Sequence, residues 1–154
     1  GTHRLIIDAY CPGIPLAIPP TTTAANVQAL LHHCLGSDWR KFFVAVCDAR
    51  TPGKKKPEPD VYLQALAELD VEATNCIAFE DSENGLRAAA RAGISTIITP
   101  THYTAGQDFS GAMLVLPHLG DPDLPVPPGN GIHQTMVDLF TLKCLHADPL
   151  LKAG

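Results

Sequence analysis

Short apolar runs alternate with longer amphipathic stretches along most of the chain. The runs predict buried strands at 15–18, 42–46, 76–79, 94–99 and 113–116. The stretches between them predict helices at 2–10, 24–35, 60–69, 83–92 and 134–146. Because strands and helices alternate, the pattern predicts an α/β fold of right-handed βαβ units around a mainly parallel sheet.

Local signals set the ends of several predicted helices. One of the threonines at 21–23 is expected to cap the second helix, and Gly36 to end it. Either Asp81 or Ser82 is expected to cap the fourth helix.

The chain changes character after residue 120. Residues 120–130 contain four of the 14 prolines, which excludes regular structure there. The helix that follows is expected to dock through its apolar side chains, Met136, Val137, Phe140 and Leu145. The predicted organisation is therefore a partial α/β core over 1–120, followed by a proline-rich connection and a C-terminal helix over 121–154.

Composition excludes several classes of function. The 154 residues are 45% hydrophobic and 18% charged, which is typical of globular proteins. A net charge of −5 offers no basic face to nucleic acid or to anionic lipid, and no apolar run reaches the roughly 20 residues of a membrane helix. The seven histidines show no metal-ligand spacing. Five cysteines without a CxxC pair favour a reducing compartment, the cytoplasm or alternatively the plastid stroma.

Three polar features follow predicted strands, where the ligand sites of parallel sheets lie. They are the threonines at 21–23, Lys56, and the pair Glu80-Asp81. Each has a structural explanation by itself: a helix cap, a solvated lysine run, and acids that offset a helix dipole. Together, a hydroxyl, an ammonium and two carboxylates at one sheet edge have the chemistry to hold a phosphate and a Mg²⁺ ion.

These residues resemble a known family. The segment KPEPD at 56–60 is similar to the lysine motif of haloacid dehalogenase-type phosphatases of the β-phosphoglucomutase-like branch. FEDS at 79–82, with the alanine-rich helix after it, resembles the acidic metal motif of that branch, and 16–27 resembles its threonine motif. The resemblance covers about residues 1–120. Within the branch, the sugar-bisphosphate phosphatases, which include xylulose-bisphosphate phosphatase, are most similar.

The resemblance implies a three-layer α/β/α Rossmann-like core and a role for each candidate residue. Lys56 would neutralise the phosphate and an aspartyl-phosphate intermediate, and Asp81 would act in catalysis by binding Mg²⁺. Glu80 would support that metal or its waters. A hydroxyl of Thr21 or Thr22 would bind the phosphoryl oxygens.

The chain departs from the family pattern in two places. Pro20 stands where the family has its phosphate-binding hydroxyl, and a proline also removes a backbone donor from that position. The nucleophile motif DxD, expected at the end of the first strand ahead of a helical cap domain, has no counterpart in the 154 residues. Two residues after Asp8, Tyr10 stands where the motif has its second aspartate. The DPD at 121–123 has the spelling of the motif but comes last in the chain, in the proline-rich tail.

The departures lead to two hypotheses of different classes. The first is the core of a Mg²⁺-dependent phosphatase acting on a small sugar phosphate, inactive as residues 1–154 alone because the nucleophile is absent, and binding Mg²⁺ weakly or not at all. The alternative is a noncatalytic module, derived from such a phosphatase, that binds phosphate or another protein. A further segment or another chain that supplies the DxD strand is the third possibility. The missing strand is central in the family's sheet, so exposed sheet edges are expected and favour self-association.

Overall fold

A computed structural model describes residues 1–19, 23–47 and 54–147. Its helices are α1 (Thr2–Tyr10), α2 (Ala24–Leu35), α3 (Asp60–Leu69), α4 (Glu83–Arg91) and α5 (Leu139–Ala147). Its strands are β1 (Ala17–Ile18), β2 (Ala45–Val46), β3 (Ile77–Glu80), β4 (Ser95–Ile98) and β5 (Leu114–Val115). The α/β fold class predicted from the sequence is confirmed.

The strands of the described ranges form two parallel sheets. One has the order β1-β2 and the other the order β3-β4-β5, and every pair of neighbouring strands is parallel. The predicted mainly parallel pairing is therefore confirmed. Helix α3 packs against β1, β2 and α4, while α4 packs against β3 and β4. Helices α3 and α4 thus hold the two sheets side by side.

Helices cover both faces of the three-stranded sheet. On one face, Ala78 of β3 packs with Tyr62 of α3 and with the buried alanines of α4. On the other, Ile97 of β4 packs with Leu5 of α1 and Leu145 of α5. Leu119, close to the end of the predicted core, and Val126 and Val137 of the connection after it belong to this second cluster. The layers are therefore helix, sheet and helix.

Among the described strands, β1 and β3 each have one free edge, at which backbone N–H and carbonyl groups point away from the neighbouring strand. In β1, the carbonyls of Leu16 and Ile18 accept from the N–H groups of Val44 and Cys47, the residues on either side of β2, so the N–H and carbonyl of Ala17 point away from β2. In β3, the carbonyl of Glu80 accepts from Thr99, so the peptide groups of Phe79 point away from β4. Within the described ranges no strand pairs with either edge.

Helix ends follow the predicted caps. The Thr23 hydroxyl accepts from the backbone N–H of Asn26 at 3.4 Å and caps α2. Gly36 ends that helix at a φ of 83°, a conformation that a glycine adopts without steric cost. Of the two candidates for α4, Ser82 is the cap: its hydroxyl accepts from the N–H of Gly85 at 3.2 Å. In the part of the chain that is described, no helix is long and apolar enough to cross a membrane.

Two element predictions were wrong in extent. Four of the five strands are shorter than the apolar runs, whereas β3 has the predicted length and starts one residue later. Phe42 belongs to a 3₁₀ turn at Trp39–Phe42 instead of to β2. Helix α5 begins at Leu139, not near residue 134, because the Asp138 carboxylate accepts from the N–H and hydroxyl of Thr141, both at 2.7 Å, and caps the helix there. Within α5, Leu145 is buried as predicted, but Phe140, also predicted to dock, is 64% exposed.

Candidate functional site

A lysine and a glutamate from separate predicted motifs meet beyond the end of β3. The Lys56 ammonium donates to Oε1 of Glu80, the last residue of that strand, and forms an ion pair with it. The Lys56 side chain is 13% exposed and that of Glu80 is 9% exposed. Because both charges are largely removed from water, each depends on the other for compensation. The sequence prediction that these two residues lie together agrees with this geometry.

Tyr62, in the first turn of α3, is the third member of this cluster. Its hydroxyl donates to the same Oε1 of Glu80, and its ring centroid lies 5.2 Å from the Lys56 ammonium. Burial raises the pKa of Tyr62 well above its ordinary value, and the charge of Glu80 adds to the effect. The phenol therefore remains protonated and remains a donor. No role for Tyr62 was predicted from its motif; the signal in the sequence was a tyrosine at a buried helical position, where the hydroxyl needs a partner.

Gly85, in the first turn of α4, makes room for the Glu80 side chain. A β-carbon at this position would lie 3.0 Å from Cγ of Glu80 and would overlap the carboxylate, Oε2 above all. A larger residue here would therefore force the Glu80 carboxylate to move. This close approach holds Glu80 against the start of α4, with Oε1 turned towards Lys56 and Tyr62. We call Lys56, Tyr62, Glu80 and Gly85 the carboxylate cluster.

The loop that carries Lys56 is fastened on both sides. Before the lysine, the N–H of Lys54 donates to the Asp60 carboxylate at 3.1 Å, at the start of α3. After it, Arg91 at the end of α4 donates to the carbonyl of Pro57 at 3.0 Å and to the Glu58 carboxylate at 3.1 Å. The loop is thus tied to the same two helices that support the cluster.

The described residues do not form a metal site by themselves. No three histidine, cysteine or acidic side chains converge in the described ranges. Asp81 is exposed and offers one carboxylate, but Glu80 already engages Lys56 and Tyr62 through one oxygen and packs its other oxygen at Gly85. Asp81 acts on the cluster only through its charge, which contributes to the raised pKa of Tyr62. The metal role predicted for the two acids stays a prediction.

The predicted phosphate-binding hydroxyls, Thr21 and Thr22, lie outside the described residues, as does Pro20. Their neighbour Thr23 is described, and its hydroxyl caps α2. Among the predicted site residues, the structure therefore brings Lys56 and Glu80 together, with Asp81 next in sequence.

Neither substitute for the missing nucleophile lies at a strand end. Asp8 is part of helix α1, where its carboxylate accepts from Arg4 at 3.0 Å. Asp121 follows the Gly120 turn and lies 3.7 Å from Nε of Arg4. Both carboxylates therefore belong to the contact between α1 and the proline-rich connection, and Asp123 is exposed nearby.

The protein is a Rossmann-like α/β protein: its strands are parallel, helices cover both faces of the three-stranded sheet, and an ion pair lies beyond the end of a strand. The model of the haloacid dehalogenase-like hydrolases matches residues 11–93, more than half of the chain. The chain belongs to this family of hydrolases, as its motifs predicted.

Several CbbY proteins are similar to this chain in sequence or in structure over most of its length. Protein CbbY encoded on a plasmid of Cupriavidus necator is 53% identical over 154 residues, which are 99% of this chain and 61% of that protein. The crystal structure of CbbY from Rhodobacter sphaeroides with phosphate has a TM-score of 0.71 and 43% identity, covering 74% of this chain and 51% of that one. A CbbY variant from the same organism, solved with xylulose-1,5-bisphosphate, has a TM-score of 0.72 and covers the same shares. The chain thus spans between half and about three-fifths of the length of these relatives.

Proposed function

We propose that residues 1–154 form the phosphate-binding part of a phosphatase that acts on small sugar phosphates. The observation that carries the proposal is the carboxylate cluster, which holds an ammonium beyond the end of a parallel strand, where such sheets bind ligands. A phosphate dianion would compete with Glu80 for Lys56 and gain a charge-assisted hydrogen bond. The CbbY structures with phosphate and with xylulose-1,5-bisphosphate support a sugar bisphosphate as the substrate class.

The chemistry of such a phosphatase divides among several groups. A carboxylate oxygen attacks phosphorus as the bond from phosphorus to the sugar oxygen breaks, and a second carboxylic acid gives that oxygen its proton. The resulting carboxylate takes a proton from water, whose oxygen attacks phosphorus, so that inorganic phosphate and the first carboxylate are released. Lys56 would neutralise the phosphoryl oxygens through both steps, and a hydroxyl of Thr21 or Thr22 would bind them. Asp81 would contribute an oxygen to Mg²⁺. Because the described residues do not enclose a cation, we expect residues 1–154 to bind Mg²⁺ weakly or not at all.

A further parallel strand between β1 and β3 would complete the sheet and bring the nucleophile. The free edges of β1 and β3 carry peptide groups with which such a strand could pair. Helix α3 packs against β1 and also against α4, which covers β3. Phe79 of β3, which is 40% exposed, would gain cover from the same segment. A carboxylate at the end of this strand would stand beside Glu80 and Lys56. Without the segment, the same edges favour self-association.

We expect residues 1–154 alone to show no appreciable phosphatase activity. Apart from Asp81, which is assigned to Mg²⁺, no aspartate of the described residues lies at a strand end to form the covalent intermediate, and removal of a nucleophile lowers turnover by many orders of magnitude. The measurement is hydrolysis of p-nitrophenyl phosphate with Mg²⁺, using Lys56→Ala and Asp81→Asn as controls. Turnover that both substitutions abolish would show that a nucleophile within these residues had been overlooked.

The alternative function is a noncatalytic module that binds phosphate or another protein. Pro20, in place of the family's phosphate-binding hydroxyl, favours it. Lys56 and Glu80 oppose it, because a module selected only for its surface has no need of a largely buried ion pair. Adding a separately produced DxD-containing amino-terminal segment of a CbbY protein to residues 1–154 distinguishes the two. Restored hydrolysis supports the phosphatase, whereas tight association without hydrolysis supports the module.

A further inference from the structure

The hydroxyl of Tyr62 has a specific place in the carboxylate cluster. It donates to the oxygen of Glu80 that also receives the Lys56 ammonium, and the Tyr62 ring faces that ammonium. The Tyr62 residue is 4% exposed, so this phenol is largely removed from water and its hydroxyl depends on Glu80 as acceptor. Packing of α3 against α4 fixes the ring, and the hydroxyl therefore presents a rigid donor to a flexible carboxylate.

We infer that Tyr62 is a positioning residue, which holds the Glu80 carboxylate in place and through it sets the Lys56 ammonium for phosphate. This inference rests on the proposed phosphate-binding function and deepens it. Glu80 is the last residue of β3, and its side chain keeps 9% exposure. Lys56 alone holds this carboxylate less firmly, because its ammonium stands at the end of a long flexible side chain. The Tyr62 hydroxyl, in contrast, is a donor whose ring is held within helix α3 and its packing partners.

Removing only the hydroxyl tests this role. In Tyr62→Phe the ring and its packing remain, so the fold is retained, while Glu80 loses its rigid donor. We expect inorganic phosphate to bind about tenfold more weakly by calorimetry, the loss typical of one hydrogen bond to a charged group. We also expect acetic anhydride to label Lys56 several-fold faster relative to the exposed Lys55, measured by mass spectrometry. Tyr103→Phe is the matched control, because it removes the same atom from a residue that is 92% exposed.

A double-substitution cycle with Glu80→Ala, which removes the acceptor of the Tyr62 hydroxyl, separates positioning from a general structural effect. If Tyr62 acts through Glu80, Tyr62→Phe adds no further acceleration of Lys56 labelling in the Glu80→Ala background. An equal acceleration in both backgrounds overturns the inference, as does unchanged phosphate affinity and labelling in Tyr62→Phe. If the unsubstituted chain binds no phosphate, the proposed function fails, and the labelling data still decide whether Tyr62 positions Lys56.

Discussion

Replacing Lys56 by methionine is expected to destabilise the fold by about 3 kcal/mol, the range found when one partner of a buried ion pair is removed. The reason is the charge left on Glu80, whose side chain is only 9% exposed. Methionine keeps most of the aliphatic stem, so lost packing contributes little. The measurement is the free energy of unfolding in urea, with Lys55→Met as the control at an exposed neighbour.

The double variant Lys56→Met/Glu80→Gln identifies the cause of this loss. Because it removes both charges, it is expected to regain most of the stability that Lys56→Met loses. A double variant no more stable than Lys56→Met alone would mean that Lys56 contributes through something other than its charge on Glu80.

Gly85→Ala is expected to lower stability by about 2 kcal/mol and to abolish phosphate binding. Two effects of opposite sign compete. Alanine favours a helix over glycine by about 1 kcal/mol, which alone would stabilise α4. Against this, the new β-carbon overlaps the Glu80 carboxylate and forces it away from Lys56 and Tyr62, at a cost of up to about 3 kcal/mol. The second effect is the larger.

The sign of the Gly85→Ala effect reverses if the obstruction is removed first. In a Glu80→Ala background the alanine meets no carboxylate, and the same substitution is expected to stabilise by about 1 kcal/mol through helix propensity. Gly106→Ala controls for the general effect of replacing glycine, since a β-carbon at Gly106 meets no atom within 4 Å. Destabilisation of equal size in both Glu80 backgrounds would contradict the steric account.

Much of the fold was predictable because local signals and the tertiary structure agree. The predictions for α1, α2 and α3 match the structure at both ends, since amphipathic periodicity coincides there with caps or breakers such as Thr23 and Gly36. The strands could not be predicted in length, because pairing with a neighbour determines how far an apolar run is extended. The start of α5 was missed because Asp138 reads as an ordinary helical residue until Thr141 is seen to donate to it.

The sequence predicted that Lys56 and Glu80 would lie close together, but not which atoms contact each other at the site. Lys56 follows β2 and Glu80 ends β3, and the two residues meet as expected although these strands belong to separate sheets, because ligand groups collect beyond the carboxyl ends of parallel strands. The donors from which Glu80 accepts hydrogen bonds are determined by the packing of α3 on α4. The spacing of residues along the sequence does not predict that packing. Tyr62 and the space at Gly85 are therefore properties of the assembled fold.

Calorimetric titration with inorganic phosphate tests the central claim most directly. Weak but saturable binding by residues 1–154, lost in Lys56→Met when both proteins are folded, is the result that a phosphate site at the carboxylate cluster predicts. The absence of binding by the unsubstituted chain, or equal binding by both proteins, would contradict it.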